Sequence, residues 1–157
     1  MNRVPYIEPD VEGWMNKFKF KSEIKVRFGE TDAFGHVNNV SYFRYFEQAR
    51  LDYFEHLGFM NYFTDRECPS IIVTGDLHCH YLQPIYYGQV IAAHVRTAKI
   101  GRTFLDLQYA LTDESGKTLF AACRGVMIHV DKHTEKSRPW PEEVKRRIIE
   151  FEPIYAD

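Results

Sequence analysis

Apolar and charged residues alternate with period two between residues 17 and 28. Every odd position from Lys17 to Arg27 is charged, whereas the even positions from Phe18 to Phe28 are apolar apart from Ser22. Successive side chains of a β-strand point to opposite faces. The alternation therefore predicts a strand with one face in water and the other against a core.

Residues 39–57 predict one long helix. They contain neither proline nor glycine, and Gly58 follows as a natural terminator. Stepping around this helix at about 100° per residue leaves only a narrow polar strip beside a broad apolar surface. Other elements must enclose such a surface. Glu47 and Arg50 fall inside it, and we expect them to pair with each other or with buried backbone.

Further strands are predicted downstream, at 70–82, 88–100, 102–113 and 117–131, and a short amphipathic helix is predicted at 141–150. The connections between these strands are short, which favours antiparallel pairing of successive strands. This order of elements predicts an α+β fold in which a curved antiparallel sheet wraps one long central helix.

Length and composition agree with a single domain spanning residues 1–157, with its core at about 18–131. The chain is 45% hydrophobic and has a formal net charge of −2, which excludes disordered proteins and strongly basic nucleic-acid binders. It has no segment typical of a signal peptide or a membrane span. We therefore expect a cytoplasmic protein with no nucleic-acid or membrane partner. The three cysteines lack metal-type pair spacing and are interpreted as reduced thiols.

The segment from Gly29 to Arg50, GETDAFGHVNNVSYFRYFEQAR, contains the candidate chemistry. It places the carboxylate of Asp32 in a glycine-containing loop before the long helix. The first turn of a helix has amide N–H groups without intrahelical acceptors, which can stabilise an oxyanion. A carboxylate beside such amides suits acyl transfer, as nucleophile or general base. The alternative is structural, with Asp32 and Asn38 or Asn39 forming an Asx turn and a helix N-cap.

This segment, together with the later sequence YLQPIYYGQVI, resembles the acyl-CoA thioesterases of the hotdog fold, specifically the 4-hydroxybenzoyl-CoA thioesterase-like branch. The resemblance covers roughly residues 18–131 and centres on the motif Asp-x-x-Gly-His-Val-Asn-Asn. It implies hydrolysis of an acyl-CoA substrate to a free acid and CoA, with no metal ion and no organic cofactor. Sites in this family lie between subunits, and an exposed strand edge favours pairing. We therefore expect a homodimer and, beyond it, a tetramer.

The resemblance also implies roles for residues of the motif. Asp32 is the essential carboxylate, as nucleophile or general base, and the backbone N–H of Asn39 polarises the thioester carbonyl. His36 either orients groups at the site or holds the loop by hydrogen bonds. Phe34 stands where acyl-ACP thioesterases have asparagine, so their Asp, Asn and His set is incomplete here. We expect substrate contacts from Gly35, Asn38, Val40 and Phe43.

Alternative functions stay open at this stage: an acyl-ACP thioesterase, a hotdog-fold hydratase or dehydratase of acyl thioesters, and a non-catalytic acyl-thioester-binding protein. His78 and His80 share one strand face, which could hold a metal ion, but strand alternation explains them equally well and we expect no metal site. Basic residues near strand ends are candidates for the CoA phosphates, although a solvated strand face explains each of them better: Arg96, Lys99, Arg102 and Arg124.

Overall fold

A computed structural model describes residues 3–152 and 154. Within these residues, five strands form one sheet: Phe20–Lys25 (β1), Ser70–Tyr81 (β2), Val90–Ile100 (β3), Phe104–Asp113 (β4) and Leu119–Asp131 (β5). The helices there are Val11–Met15 (α1), Asn39–His56 (α2), Asn61–Thr64 (α3) and Glu142–Phe151 (α4), and a 3₁₀ turn spans Phe28–Glu30. The predicted domain, 1–157, also includes residues 1, 2, 153 and 155–157, which lie outside the described residues.

Helix α2 lies against one face of the sheet with one side buried, whereas its other side, which includes Val40 of the predicted apolar surface, is exposed. One side of it packs into the main core against the inward-facing side chains of β4, which include Leu105, Leu107 and Tyr109. The predicted pairing of Glu47 with Arg50 is wrong. Glu47 lies on the exposed side of α2, whereas Arg50 is buried and donates a hydrogen bond of 3.4 Å to the hydroxyl of Tyr109.

The strand order is β1-β3-β4-β5-β2, and each neighbouring pair is antiparallel. The α+β prediction of an antiparallel sheet around one helix is confirmed. The predicted pairing of all successive strands is wrong for β2 and β3, because β2 pairs with β5 and β3 pairs with β1 and β4. Residues 82–89 cross from one side of the sheet to the other, and a segment of this length can extend up to about 27 Å.

β-Bulges shift the sheet register at three places: in β2 between Thr74 and Asp76, in β3 between Thr97 and Lys99, and in β5 between Leu119 and Ala121. A bulge adds a residue to one strand only, so it bends the strand and increases the local twist. The bulges therefore help the sheet to curve around α2. Strands β1 and β2 form its two edges, and the predicted homodimer and tetramer stay predictions.

A second, smaller core lies on the outer face of the sheet. The residues before β1 cross this face and bury Val4, Ile7 and Trp14 against Ala110 and Ala122. The neighbours of these two alanines in sequence, Leu111 and Ala121, face the main core, as strand alternation requires. The sheet is thus covered by α2 on one face and partly covered by the N-terminal segment on the other.

Candidate active site

The loop between the 3₁₀ turn and α2 is a tight turn around Asp32. The Asp32 N–H donates to the carbonyl of His36 (2.9 Å), and the Gly35 N–H donates to the carbonyl of Asp32 (3.1 Å). Gly35 has φ of +85°, a conformation that glycine adopts without steric cost. Below this turn, Val37 N–H donates to the carbonyl of Ile85 (2.7 Å), which ties the loop to the connection between β2 and β3.

The two carboxylate oxygens of Asp32 have different surroundings. Oδ1 accepts a hydrogen bond from the backbone N–H of Phe34 at 2.8 Å, which is the Asx turn that the structural alternative predicts. Oδ2 lies 3.7 Å from Nδ1 of His36. The Asp32 side chain is 25% exposed and that of His36 is 40% exposed. One oxygen therefore holds the loop, and the other lies beside an imidazole.

Helix α2 begins next to this carboxylate, and Asn38 is its N-cap. The side-chain oxygen of Asn38 accepts from Val40 N–H (2.8 Å), and its carbonyl accepts from Ser41 N–H (3.0 Å). Among residues 3–152 and 154, no acceptor bonds the N–H of Asn39. The carbonyl of Asn39 accepts from the hydroxyl of Tyr81 at 2.9 Å. Asn38 thus accepts from the second and third amides of the helix, those of Val40 and Ser41. It does not accept from the first amide, that of Asn39.

A pocket of about 470 Å³ brings these groups together. Asp32, His36 and Asn39 line it from the loop and the helix start, and Tyr42 and Tyr81 line it from α2 and the end of β2. The three residues predicted to be catalytic therefore share one cavity. The pocket therefore has both a carboxylate residue and the first residue of α2 in its lining.

The residues predicted to contact substrate lie around this pocket and outside its lining. Gly35 forms the turn, and Asn38 caps the helix. Val40 is 58% exposed, and the ring of Phe43 packs on Phe46 at 6.3 Å between centroids. Substrate contact by these four residues stays a prediction.

The tyrosines of the pocket were not predicted from the sequence. Tyr42 is buried, and its ring lies 4.9 Å from that of Tyr81 in an edge-to-face contact. Burial raises the pKa of both phenols, to about 12 for Tyr81, so both stay protonated at neutral pH. Tyr81 begins the segment YLQPIYYGQVI that carries part of the family resemblance, and this was the available signal for it.

The other candidate functional residues from the sequence lie outside this pocket. The rings of His78 and His80 lie 4.6 Å apart on the outer face of β2. In the described part of the chain, no group of three or more His, Cys, Asp or Glu side chains is arranged to hold a metal ion. Arg124 pairs with Asp106 at 2.9 Å, and Arg96 is buried. No helix in the described ranges is both long and apolar enough to cross a membrane.

Two solved structures with this fold are thioesterases. A thioesterase from Thermus thermophilus, solved with coenzyme A and zinc, is 29% identical with a TM-score of 0.76, covering 90% of this chain and all of its own. The DHNA-CoA thioesterase of Staphylococcus aureus is 26% identical with a TM-score of 0.74, covering 83% of this chain and 88% of its own. The fold is the hotdog fold, and the protein is a thioester hydrolase.

The sequence comparison defines the family. The model of the thioesterase-like superfamily matches residues 26–148, and the chain belongs to this superfamily. The uncharacterized protein YsmA of Bacillus subtilis (strain 168) is 32% identical over 144 residues, which are 92% of this chain and 95% of YsmA. The predicted fold and enzyme class are confirmed.

Proposed function

We propose that the protein hydrolyses an acyl-CoA thioester to the free acid and CoA, with Asp32 as the catalytic carboxylate and the Asn39 N–H as the oxyanion donor. The observation that carries the proposal is the shared pocket, which Asp32, His36 and Asn39 all line. The solved thioesterase from Thermus thermophilus contains coenzyme A, which supports CoA as the carrier.

Asp32 can serve the reaction by either of two routes. As a nucleophile, Oδ2 attacks the thioester carbonyl carbon, the C–S bond breaks, and water then hydrolyses the mixed anhydride to regenerate the carboxylate. As a general base, Asp32 takes a proton from water while the hydroxide attacks the same carbon, and the proton passes to the departing thiolate. Neither route uses a metal ion or an organic cofactor.

The backbone supplies the stabilisation of negative charge in both routes. When the carbonyl carbon is attacked, its oxygen becomes an oxyanion, and the Asn39 N–H with the positive end of the α2 dipole stabilises it. The side chain of Asn39 has no part in this role. His36, whose Nδ1 lies 3.7 Å from Asp32 Oδ2, orients the carboxylate, and its carbonyl holds the loop through the Asp32 N–H.

The first test is hydrolysis by an Asp32→Asn variant, measured as thiol release from a panel of acyl-CoA thioesters. We expect kcat on the best substrate to fall by about 10² to 10⁴, the usual contribution of a positioned acid or base. The matched control is Asp52→Asn on α2, because the 2.7 Å bond that Asp52 accepts from Gln48 is possible for an asparagine oxygen. A folded Asp32→Asn variant with the parental rate would exclude the mechanism.

The same assay separates the alternatives. Release of thiol supports hydrolysis, water addition without thiol release supports a hydratase, and binding without turnover supports a non-catalytic protein. Parallel assays with acyl-CoA and acyl-ACP identify the carrier.

A further inference from the structure

A second pocket, of about 590 Å³, is lined by residues that differ from those of the Asp32 pocket. It is formed by the C-terminal half of β1, the 3₁₀ turn and the flank of α2. Ile24, Val26 and Tyr45 line its inner part. The chemistry proposed for Asp32 and Asn39 does not use this pocket.

The rim of the second pocket carries three cations. Lys25, Arg27 and Arg44 are exposed, and within residues 3–152 and 154 none of them forms an ion pair. The acids of the pocket are Glu23 and Glu30, so the charges sum to +1, counting three cations against two anions.

One of the two acids is already engaged by the protein. Glu30 Oε2 accepts from the hydroxyl of Tyr45 (2.6 Å) and from the backbone N–H of Arg27 (2.8 Å). Burial, followed by this contact with Glu30, raises the pKa of Tyr45, so the phenol stays a donor. With Glu30 engaged, Glu23 is the acid that faces Lys25, Arg27 and Arg44 in this pocket. Two of these three cations are guanidinium groups. Arginine binds phosphate through paired N–H donors.

Two aromatic rings stand exposed at the mouth of the same pocket. Phe28 is 74% exposed and Tyr87 is 61% exposed, and the rings meet edge-to-face at 5.6 Å between centroids. Exposed aromatic rings beside arginines are the usual combination for binding a nucleotide, because a base stacks on an aromatic ring while cations hold the phosphates.

The adjacent residues Tyr86 and Tyr87 link a ring contact at the Asp32 pocket to a ring contact at the second pocket. Phe34 stacks on His36, and His36 contacts Tyr86 at 6.4 Å and pairs with it as a β-bridge. Tyr87 follows Tyr86 and contacts Phe28. Phe28 precedes Asp32 by four residues, which limits the separation of their Cα atoms to about 14 Å. A pantetheine arm is long enough to connect two sites at such a separation.

We propose that the second pocket binds the nucleotide end of the CoA substrate, with the adenine on Phe28 and Tyr87 and the phosphates on Arg27 and Arg44. This inference rests on the proposed function. Of the phosphate-binding candidates taken from the strand ends, Arg124 is paired with Asp106 and Arg96 is buried, whereas Lys99 and Arg102 are exposed.

The kinetic test compares an acyl-CoA with the matching acyl-pantetheine, which lacks the nucleotide. We expect Arg27→Ala and Arg44→Ala each to raise the KM for acyl-CoA about tenfold, the effect of losing one charge-assisted hydrogen bond. The kcat on acyl-CoA and both constants on acyl-pantetheine stay at parental values. The control is Arg66→Ala, because Arg66 is exposed and does not line the pocket.

The binding test does not depend on turnover. Adenosine 3′,5′-bisphosphate is titrated into the parental protein and the Arg27→Ala/Arg44→Ala double variant by calorimetry, and we expect binding by the first and at least a tenfold loss in the second. A protein that binds this nucleotide but hydrolyses no thioester would support the pocket and contradict the proposed function. Equal KM effects on both substrates, or an effect of Arg102→Ala in place of Arg27→Ala and Arg44→Ala, would overturn the nucleotide pocket.

Discussion

Asp32 and Asn39 contribute through different parts of the residue, and this difference decides what a sequence can reveal about them. The role proposed for Asp32 requires a carboxylate, so the residue type itself indicates the chemistry. The role proposed for Asn39 requires only an N–H at the first position of α2, which most residue types would supply. Its importance was predicted from its place in the motif, whereas only the structure showed that its N–H has no acceptor among the residues described.

His94 shows how burial changes the chemistry of a single side chain. It lies on β3, where Nε2 is 3.0 Å from the hydroxyl of Thr112 and the ring meets Phe18 edge-to-face. Burial and then the nearby charge of Lys21 lower its pKa from 6.5 to about 4. His94 therefore binds a proton near pH 6.5 in the unfolded chain but only near pH 4 in the folded protein.

This difference predicts a loss of stability in mild acid. Lowering the pH from 7 to 5 protonates His94 only in the unfolded chain, which should lower the free energy of unfolding by about 2 kcal/mol. Above pH 7, His94 has no effect on stability. His94→Gln should remove this part of the pH dependence in urea titrations at the two pH values. His133→Gln, at an exposed position, is the control. An unchanged loss of stability in the His94→Gln variant would contradict the prediction.

At the scale of elements, local patterns identified each major strand and helix, whereas the pairing of strands required long-range contacts. Helix α2 ends within one residue of the predicted boundary, because a proline-free run and Gly58 are local signals. The partner of β2 is β5, which lies much later in the chain. Short connections favour neighbouring pairs, but here residues 82–89 carry Ile85 under the Asp32 loop, where its carbonyl accepts from Val37.

The N-cap of α2 allows a direct test of what holds the helix start in place. Asn38→Ala removes the acceptor for the Val40 N–H and should lower the free energy of unfolding by about 1 kcal/mol. Asn38→Ser keeps a capping oxygen and should recover most of this loss. Chemical denaturation of the three proteins at one pH measures both effects. Equal stability of the alanine and serine variants would show that the cap does not stabilise this helix.

At the scale of the whole molecule, the N-terminal segment is the feature that sequence patterns did not predict. Asp10 caps α1 by accepting from Gly13 N–H at 2.7 Å, and Trp14 is fully buried against the outer face of the sheet. The indole N–H donates to the side-chain oxygen of Gln108 at 2.8 Å. A helix this short has little periodicity to detect, and its position depends on the face that it covers.

Trp14 should therefore anchor the segment. Trp14→Ala removes a large buried side chain and should lower the free energy of unfolding by about 3–5 kcal/mol. Trp14→Phe keeps most of the apolar contact, including that with Phe18, and should cost clearly less. Urea denaturation of the parent and both variants gives the comparison. A loss below about 1 kcal/mol for the alanine variant, the size of an ordinary single substitution, would mean that the segment is not held by this residue.

The sequence by itself determined the elements, the α+β class and the segment that holds the candidate carboxylate, because periodicity, helix termini and motif spacing are properties of neighbouring residues. Only the tertiary structure decided that β2 pairs with β5, that Tyr42 and Tyr81 join the Asp32 pocket, and that Arg27 and Arg44 flank an exposed aromatic pair. These depend on which surfaces meet when the sheet closes around α2. Packing between distant segments sets that outcome, and no local pattern records it.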